Sequence, residues 1–148
     1  MKLSTKGRYG LKAMFILALE QQNGPVPLKL MASKQNVSLQ YLEQLFSSLK
    51  KSGLVKSVRG AQGGYLLTRA PSELTVGEIL DVLEGPVNIS DCILDEDLCE
   101  NSASCVTRIV WEKIKRGIDE VTYSISLQDM IDDDKAKSKC QSNCNHNE

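Results

Sequence analysis

Thirty consecutive residues, Ser38 to Leu67, constrain this chain more than any other stretch: SLQYLEQLFSSLKKSGLVKSVRGAQGGYLL. Ser38 is of the type that caps free N–H groups at a helix start, and Leu39, Leu42, Leu45, Phe46 and Leu49 then recur at helical spacing. Gln40, Tyr41, Glu43, Gln44, Ser47, Ser48, Lys50 and Lys51 fall on the other face, and Gly53 supplies a stop. Val55 and Val58, then Tyr65 to Leu67, have strand composition and flank a glycine-rich tip that carries Arg59. A polar-faced helix followed by a basic hairpin is the layout of a winged helix-turn-helix. Such a helix fits a major groove, and the tip can set Arg59 against a minor groove. The same stretch taken alone also fits a helix and hairpin of an unrelated α+β domain.

Charge favours the first reading. Residues 1–70 hold eleven Lys or Arg against two acids, Glu20 and Glu43, whereas residues 71–148 hold seven basic and seventeen acidic residues. The basic half suits a polyanion, although two opposite halves also simply attract each other. No apolar run approaches the roughly 20 residues that span a bilayer. The first residues, MKLSTKGRYG, lack the apolar stretch of a secretory signal. A cytoplasmic protein is therefore expected.

Upstream, Ser4 or Thr5 caps a first helix from about Lys6 to Gln22, with Tyr9, Ala13, Ile16 and Leu17 at its apolar centre. Lys2, Lys6, Arg8 and Lys12 cluster at its start, either as a solvated face or as phosphate contacts. A short second helix, Leu28 to Gln35, with Leu30, Met31 and Ala32 inward, reaches the Asn36-Val37 turn before Ser38. Downstream, Thr75 caps a fourth helix from Val76 to Leu83. Residues 87–104 show no sustained period and read as a loop. A long helix from about Val106 to Tyr123 carries Ile109, Val110, Ile114, Ile118 and Val121, a stripe that the preceding residues need not cover and that suits a dimer seam. Residues 126–131 read as a capped final helical turn and residues 132–148 as a disordered polar tail. The fold class expected is mainly α: a winged helix-turn-helix domain over 1–85, a cysteine loop over 86–105, and dimerisation and short C-terminal helices over 106–131.

Five cysteines, none before Cys92, argue against a disulfide framework. Cys92, Cys99 and Cys105 form C-x6-C-x5-C within the loop. Thiolates favour iron–sulfur clusters, zinc or copper(I); the spacing does not match paired zinc knuckles, and three redox-active or incidental thiols remain an alternative. Asp91, Asp95, Glu96, Asp97 and Glu100 are nearby candidates for a fourth ligand. Cys140, Cys144 and His146 sit in the tail, which could fold back, bind a different metal or be an inert oxidisable end, the last being the reading preferred. With the sole histidine there, and no nucleophile–base pairing or phosphate-cradling motif, an enzyme is not expected.

The start MKLSTKGRYGLKAM, the stretch from Ser38 to Leu67 and the three-cysteine loop together resemble the IscR/NsrR/CymR group of bacterial transcription factors, and IscR-like iron–sulfur cluster regulators in particular, over about residues 1–131. The resemblance implies a homodimer that reads double-stranded promoter DNA, with Ser38, Gln40, Tyr41 and Gln44 on the recognition helix and Arg59 on the wing. Glu43 matches a position where an acid discriminates between operator types. Cys92, Cys99 and Cys105 match the ligands of a [2Fe–2S] cluster, one per subunit, with control of cluster-biogenesis genes and contact with cluster-assembly proteins implied. Nitric-oxide sensors with a [4Fe–4S] cluster and cluster-free, CymR-like regulators that bind an enzyme are the alternatives within the group. Two positions depart from the pattern: a ligand histidine three residues after the third cysteine is replaced here by Arg108, and a ligand carboxylate borrowed by some relatives from the partner subunit is replaced by Arg8.

Overall fold

The computed structural model describes residues 3–94 and 105–144. Its elements are α1 (Thr5–Glu20), α2 (Leu28–Gln35), α3 (Leu39–Lys51), β1 (Val55–Val58), β2 (Gly64–Leu67), α4 (Val76–Glu84), α5 (Asp91–Leu94), α6 (Val106–Ser124) and α7 (Leu127–Cys144). Among the described residues no helix is long and apolar enough to cross a membrane.

Local chemistry accounts for most boundaries. Ser4 caps α1 by accepting from the Lys6 amide, Ser38 caps α3 by accepting from the Tyr41 amide, and Thr75 with Glu78 forms a reciprocal capping box on α4. Asn36 takes the left-handed conformation, φ 53°, that turns the chain from α2 into α3, and Gly53, φ +79°, stops α3 ahead of β1. The two strands pair antiparallel with Val55 opposite Leu67 and Val58 opposite Gly64.

One apolar core joins α1, α2, α3, the strand pair, α4 and the start of α7. Met14, Leu17, Met31, Leu42, Phe46, Leu49, Leu74, Ile79 and Leu127 are fully buried in it, each side chain contributing about 1.5–3 kcal/mol relative to exposure. The connector between α6 and α7 is stitched to the segment before α4: Val76 N–H donates to Ile125 O at 2.8 Å and Leu127 N–H to Leu74 O at 2.9 Å. In contrast, α6 buries none of its residues, and Val106, Ile109, Val110, Ile114 and Val121 are exposed along it.

The structure departs from the sequence expectations in four places. Leu30 is exposed, and the inward stripe of α2 is Leu28, Met31, Ala32 and Gln35, a set in phase with 3.6 residues per turn. Leu39, expected to be apolar lining, stands 41% exposed at the first position of α3. The stretch expected as loop holds the one-turn helix α5 around Cys92, where Asn88 Nδ2 donates to Asp91 Oδ1 at 3.0 Å. Finally, α7 does not end near Ile131 but runs to Cys144. Its acids Asp129, Asp132, Asp133 and Asp134 lie in its first half and Lys135, Lys137 and Lys139 follow, with Asp129 in the first turn, where the helix dipole favours an acid.

Candidate nucleic-acid interface

The outer face of α3 is polar because its inner face is spent on the core. Leu42, Leu45, Phe46 and Leu49 are buried, while Gln40, Glu43, Gln44 and Ser47 are exposed, one helical repeat apart on the opposite side. Ser38 is exposed at the same end, its Oγ accepting from the Tyr41 amide at 3.2 Å.

Tyr41 differs from its neighbours. It is half-buried, its ring meets Tyr9 edge-on at a centroid distance of 6.1 Å, and its hydroxyl donates to Thr5 Oγ1 at 3.2 Å. Tyr41, expected among the DNA readers, also joins α3 to the start of α1. Lys6, Arg8 and Lys12 are exposed on the helix that this joint fastens to α3.

The hairpin is held in place by four further contacts, two of them to α3. Phe46 meets Tyr65 at 4.9 Å between ring centroids, and Lys50 Nζ donates to Ser57 Oγ at 2.6 Å. Val26, ahead of α2, exchanges two backbone hydrogen bonds of 2.9 Å with Tyr65, an isolated antiparallel bridge. Leu67 N–H also donates to Gln21 Oε1 at 3.1 Å. The tip, Arg59 to Gln62, is exposed. Lys51, Lys56 and Arg59 are exposed cations around α3 and the wing. Of the two acids before residue 71, Glu20 is paired with Lys34. Glu43 is exposed on the same face as Gln40 and Gln44, with no ion pair among the described residues.

Of the three loop cysteines, Cys92 belongs to α5 and Cys105 is the N-cap of α6, against which α5 packs; Cys99 lies outside the described residues. Cys105 Sγ is 3.0 Å from Thr107 Oγ1. The Thr107 hydroxyl, then the Arg108 backbone N–H at the start of α6, hold this thiol below the ordinary cysteine value, with the Arg108 charge adding to them. A thiol so placed is suited to bind a metal as thiolate, and the donor chemistry fits a cluster on that side. Arg108 offers no lone pair and donates to Glu112 at 2.9 Å. Arg8 is exposed on α1. Among the described residues no group of three or more His, Cys, Asp or Glu is gathered as for a metal ion.

Sequence reasoning missed Glu84. Its Oε1 accepts from Ser4 N at 3.1 Å, Ser4 Oγ at 2.6 Å and Gly7 N at 2.8 Å. These bonds, the Ser4 hydroxyl first, hold the carboxyl below the usual range. A contact across 80 residues leaves no local signal in the sequence.

Comparison with known proteins places these features together. Residues 3–133 match the family model described as Rrf2, an iron-dependent transcriptional regulator. The chain is 45% identical over 130 residues to the HTH-type transcriptional regulator CymR of Bacillus subtilis, covering 88% of this chain and 89% of that one. It is 43% identical to the HTH-type transcriptional regulator IscR of Photorhabdus laumondii, covering 88% and 79%. Among solved structures, T. potens IscR superposes with a TM-score of 0.74 at 50% identity, covering 90% of this chain and 88% of that chain. B. subtilis CymR, the global cysteine regulator, gives 0.72 at 43% identity, covering 88% and 95%.

Proposed function

The chain belongs to the Rrf2 family of transcriptional regulators, winged-helix proteins rather than enzymes, and on that premise we propose that it is a dimeric, iron–sulfur-dependent reader of promoter DNA acting in the cytoplasm. The observation that carries the DNA assignment is the exposed row Gln40, Glu43 and Gln44 on α3, with Arg59 exposed on a wing that Phe46 and Lys50 fasten to the same helix. Residues 1–85 read the DNA, residues 86–105 hold the cofactor, and α6 joins two copies through Val106, Val110, Ile114 and Val121. Two copies place two recognition helices on half-sites about 34 Å apart, or a multiple of that spacing.

Cys92, Cys99 and Cys105 would hold a [2Fe–2S] cluster, one per subunit. When bound, such a cluster supplies a redox-active, chemically labile group whose presence or loss is the signal. The thiolate-favouring setting of Cys105 supports this reading, as does similarity to proteins named IscR. Neither Arg108 nor Arg8 is a ligand, so the fourth position falls to another group. Control of cluster-biogenesis genes follows from the same likeness.

A second reading has its own support: the chain is as similar to CymR as to IscR, so a cluster-free, CymR-like regulator is the alternative. Anaerobic purification followed by iron and sulfide analysis separates the two. Iron with matching sulfide, lost in Cys92→Ala, Cys99→Ala and Cys105→Ala, is the expected result. Iron-free protein, or three variants that keep wild-type iron and visible absorbance, would remove the cluster from the mechanism.

A further inference from the structure

We propose that Glu84 is a positioning residue for operator reading, through which the cysteine segment sets the attitude of the first turn of α1 and, beyond it, of α3. The proposal rests on the cluster-dependent reading above and names how that signal reaches the DNA-reading face.

The first turn of α1 lacks its own acid. In a capping box, the third helical residue supplies a carboxylate that accepts from the backbone N–H of the cap. Here the cap is Ser4 and that third residue is Gly7, which has no side chain. Glu84 takes the missing role from the far end of α4: its Oε1 accepts from the Ser4 amide and hydroxyl and from the Gly7 amide. Gly7 leaves the room for it. A Cβ at Gly7 would run into the carboxylate, standing 3.1 Å from Glu84 Cγ and 3.2 Å from Cδ.

Glu84 is also the last residue of α4. Gly85 follows with φ +81°, then Pro86, and seven residues beyond Gly85 lies Cys92. The segment that carries the first loop cysteine therefore departs directly from the residue that caps α1. Beside this joint is a cavity of about 490 Å³, lined by Leu3, Leu80, Glu84, Pro86, Val87 and Ile118 among others. The segment borders this space on one side, whereas on the other side the α1 turn is fixed to Glu84 by three hydrogen bonds.

The far side of the same turn touches the reader. Thr5 Oγ1 accepts from the Tyr41 hydroxyl, and Tyr9 packs on the Tyr41 ring. Lys6 and Arg8, exposed on that turn, move with it. A continuous set of contacts thus runs from Gly85 through Glu84, Ser4 and Thr5 to Tyr41 on α3. A plain helix cap would stabilise α1 equally in every state of the loop. A positioning residue changes the difference between states.

The test measures operator affinity of full-length protein in cluster-loaded and cluster-free forms, for wild type, Glu84→Ala, Glu84→Gln, Tyr41→Phe and the Glu84→Ala/Tyr41→Phe double variant. Coupling between sites is commonly about 5- to 150-fold in affinity. The expected result is that this ratio falls toward one in Glu84→Ala with iron content unchanged, recovers in part in Glu84→Gln, which keeps an acceptor oxygen, and falls no further in the double variant. Amide hydrogen exchange at Lys6 and Gly7 gives a readout free of DNA: it should differ between loaded and cluster-free wild type and not in Glu84→Ala. A wild-type ratio that survives in Glu84→Ala, or an equal loss of affinity in both forms, would reduce Glu84 to a cap and overturn the proposal. Wild type that holds no iron, or binds the operator equally in both forms, would overturn the cluster reading itself and this proposal with it.

Discussion

A Cβ built on Gly77 of α4 stands 2.6 Å from Cε2 and 2.7 Å from Cγ of Tyr123 on α6. The absence of a side chain at position 77 is what lets the ring lie there. Gly77→Ala should therefore separate the two helices and destabilise the fold by about 1–3 kcal/mol, the usual cost of overpacking. Denaturant unfolding measures it. The combination with Tyr123→Ala should cost less than the two single changes added, since the ring that meets the new methyl group is gone. A neutral Gly77→Ala would show that the ring is not held against this turn.

The hydroxyl of Tyr123 donates to the Asp81 carboxylate, and that bond, the largest cause, pushes its pKa up from 10.0 to about 12. The fold therefore prefers the protonated phenol. Its contribution to stability is complete below about pH 10 and is lost as pH rises from about 10 toward 12. Melting temperature followed across that window should fall more steeply for wild type than for Tyr123→Phe, which has no proton to lose. Because the side chain is largely exposed, the difference is small, and parallel curves would dismiss it.

Ser38 stands at the start of α3 with its hydroxyl accepting from the Tyr41 amide. Ser38→Ala should cost about 1 kcal/mol of stability, and Ser38→Asp should restore it. If Ser38 also touches DNA, aspartate restores the melting temperature but not the operator affinity. In an operator titration the aspartate variant should bind worse than alanine, because its charge meets phosphate.

Gln40→Ala and Gln44→Ala remove exposed amides whose side chains carry no core contact. Each should weaken operator binding by about 1–3 kcal/mol, the worth of a good base contact, with the melting temperature unchanged. Arg59→Ala should weaken binding most at operators whose wing-facing minor groove is narrow and A·T-rich. Fluorescence anisotropy against a panel of operators distinguishes these effects. Affinities unchanged across all three variants at physiological salt would place the DNA on another face.

What was legible in the sequence was local chemistry. Ser38, Asn36, Gly53 and Thr75 act on backbone groups within a few residues, so their roles follow from type and position. Leu30 and Leu39 misled because both lie within the first turn of a short helix, where apolar character alone does not fix which residues face inward. The place of Tyr41 on the polar face suggests a reader, and its part as a joint to α1 does not show in the sequence. The contacts that claim it, from Tyr9 and Thr5, come from another helix. Beyond Ile131, α7 has no apolar stripe, so periodicity was silent. Glu84 gave no sign at all, being one acid among nineteen Asp and Glu in the chain until folding brings it to Ser4.

The single backbone bridge at Val26 ties the connector before α2 to Tyr65 of the wing, while Phe46 ties the wing to α3. With helix and hairpin fastened to each other in this way, the protein meets DNA as a stiff body and leaves the duplex to adapt. Two promoters that match at every touched base will then rank by how readily their untouched central steps bend and twist. Elasticity of the target, rather than added contacts, becomes part of how a site is chosen.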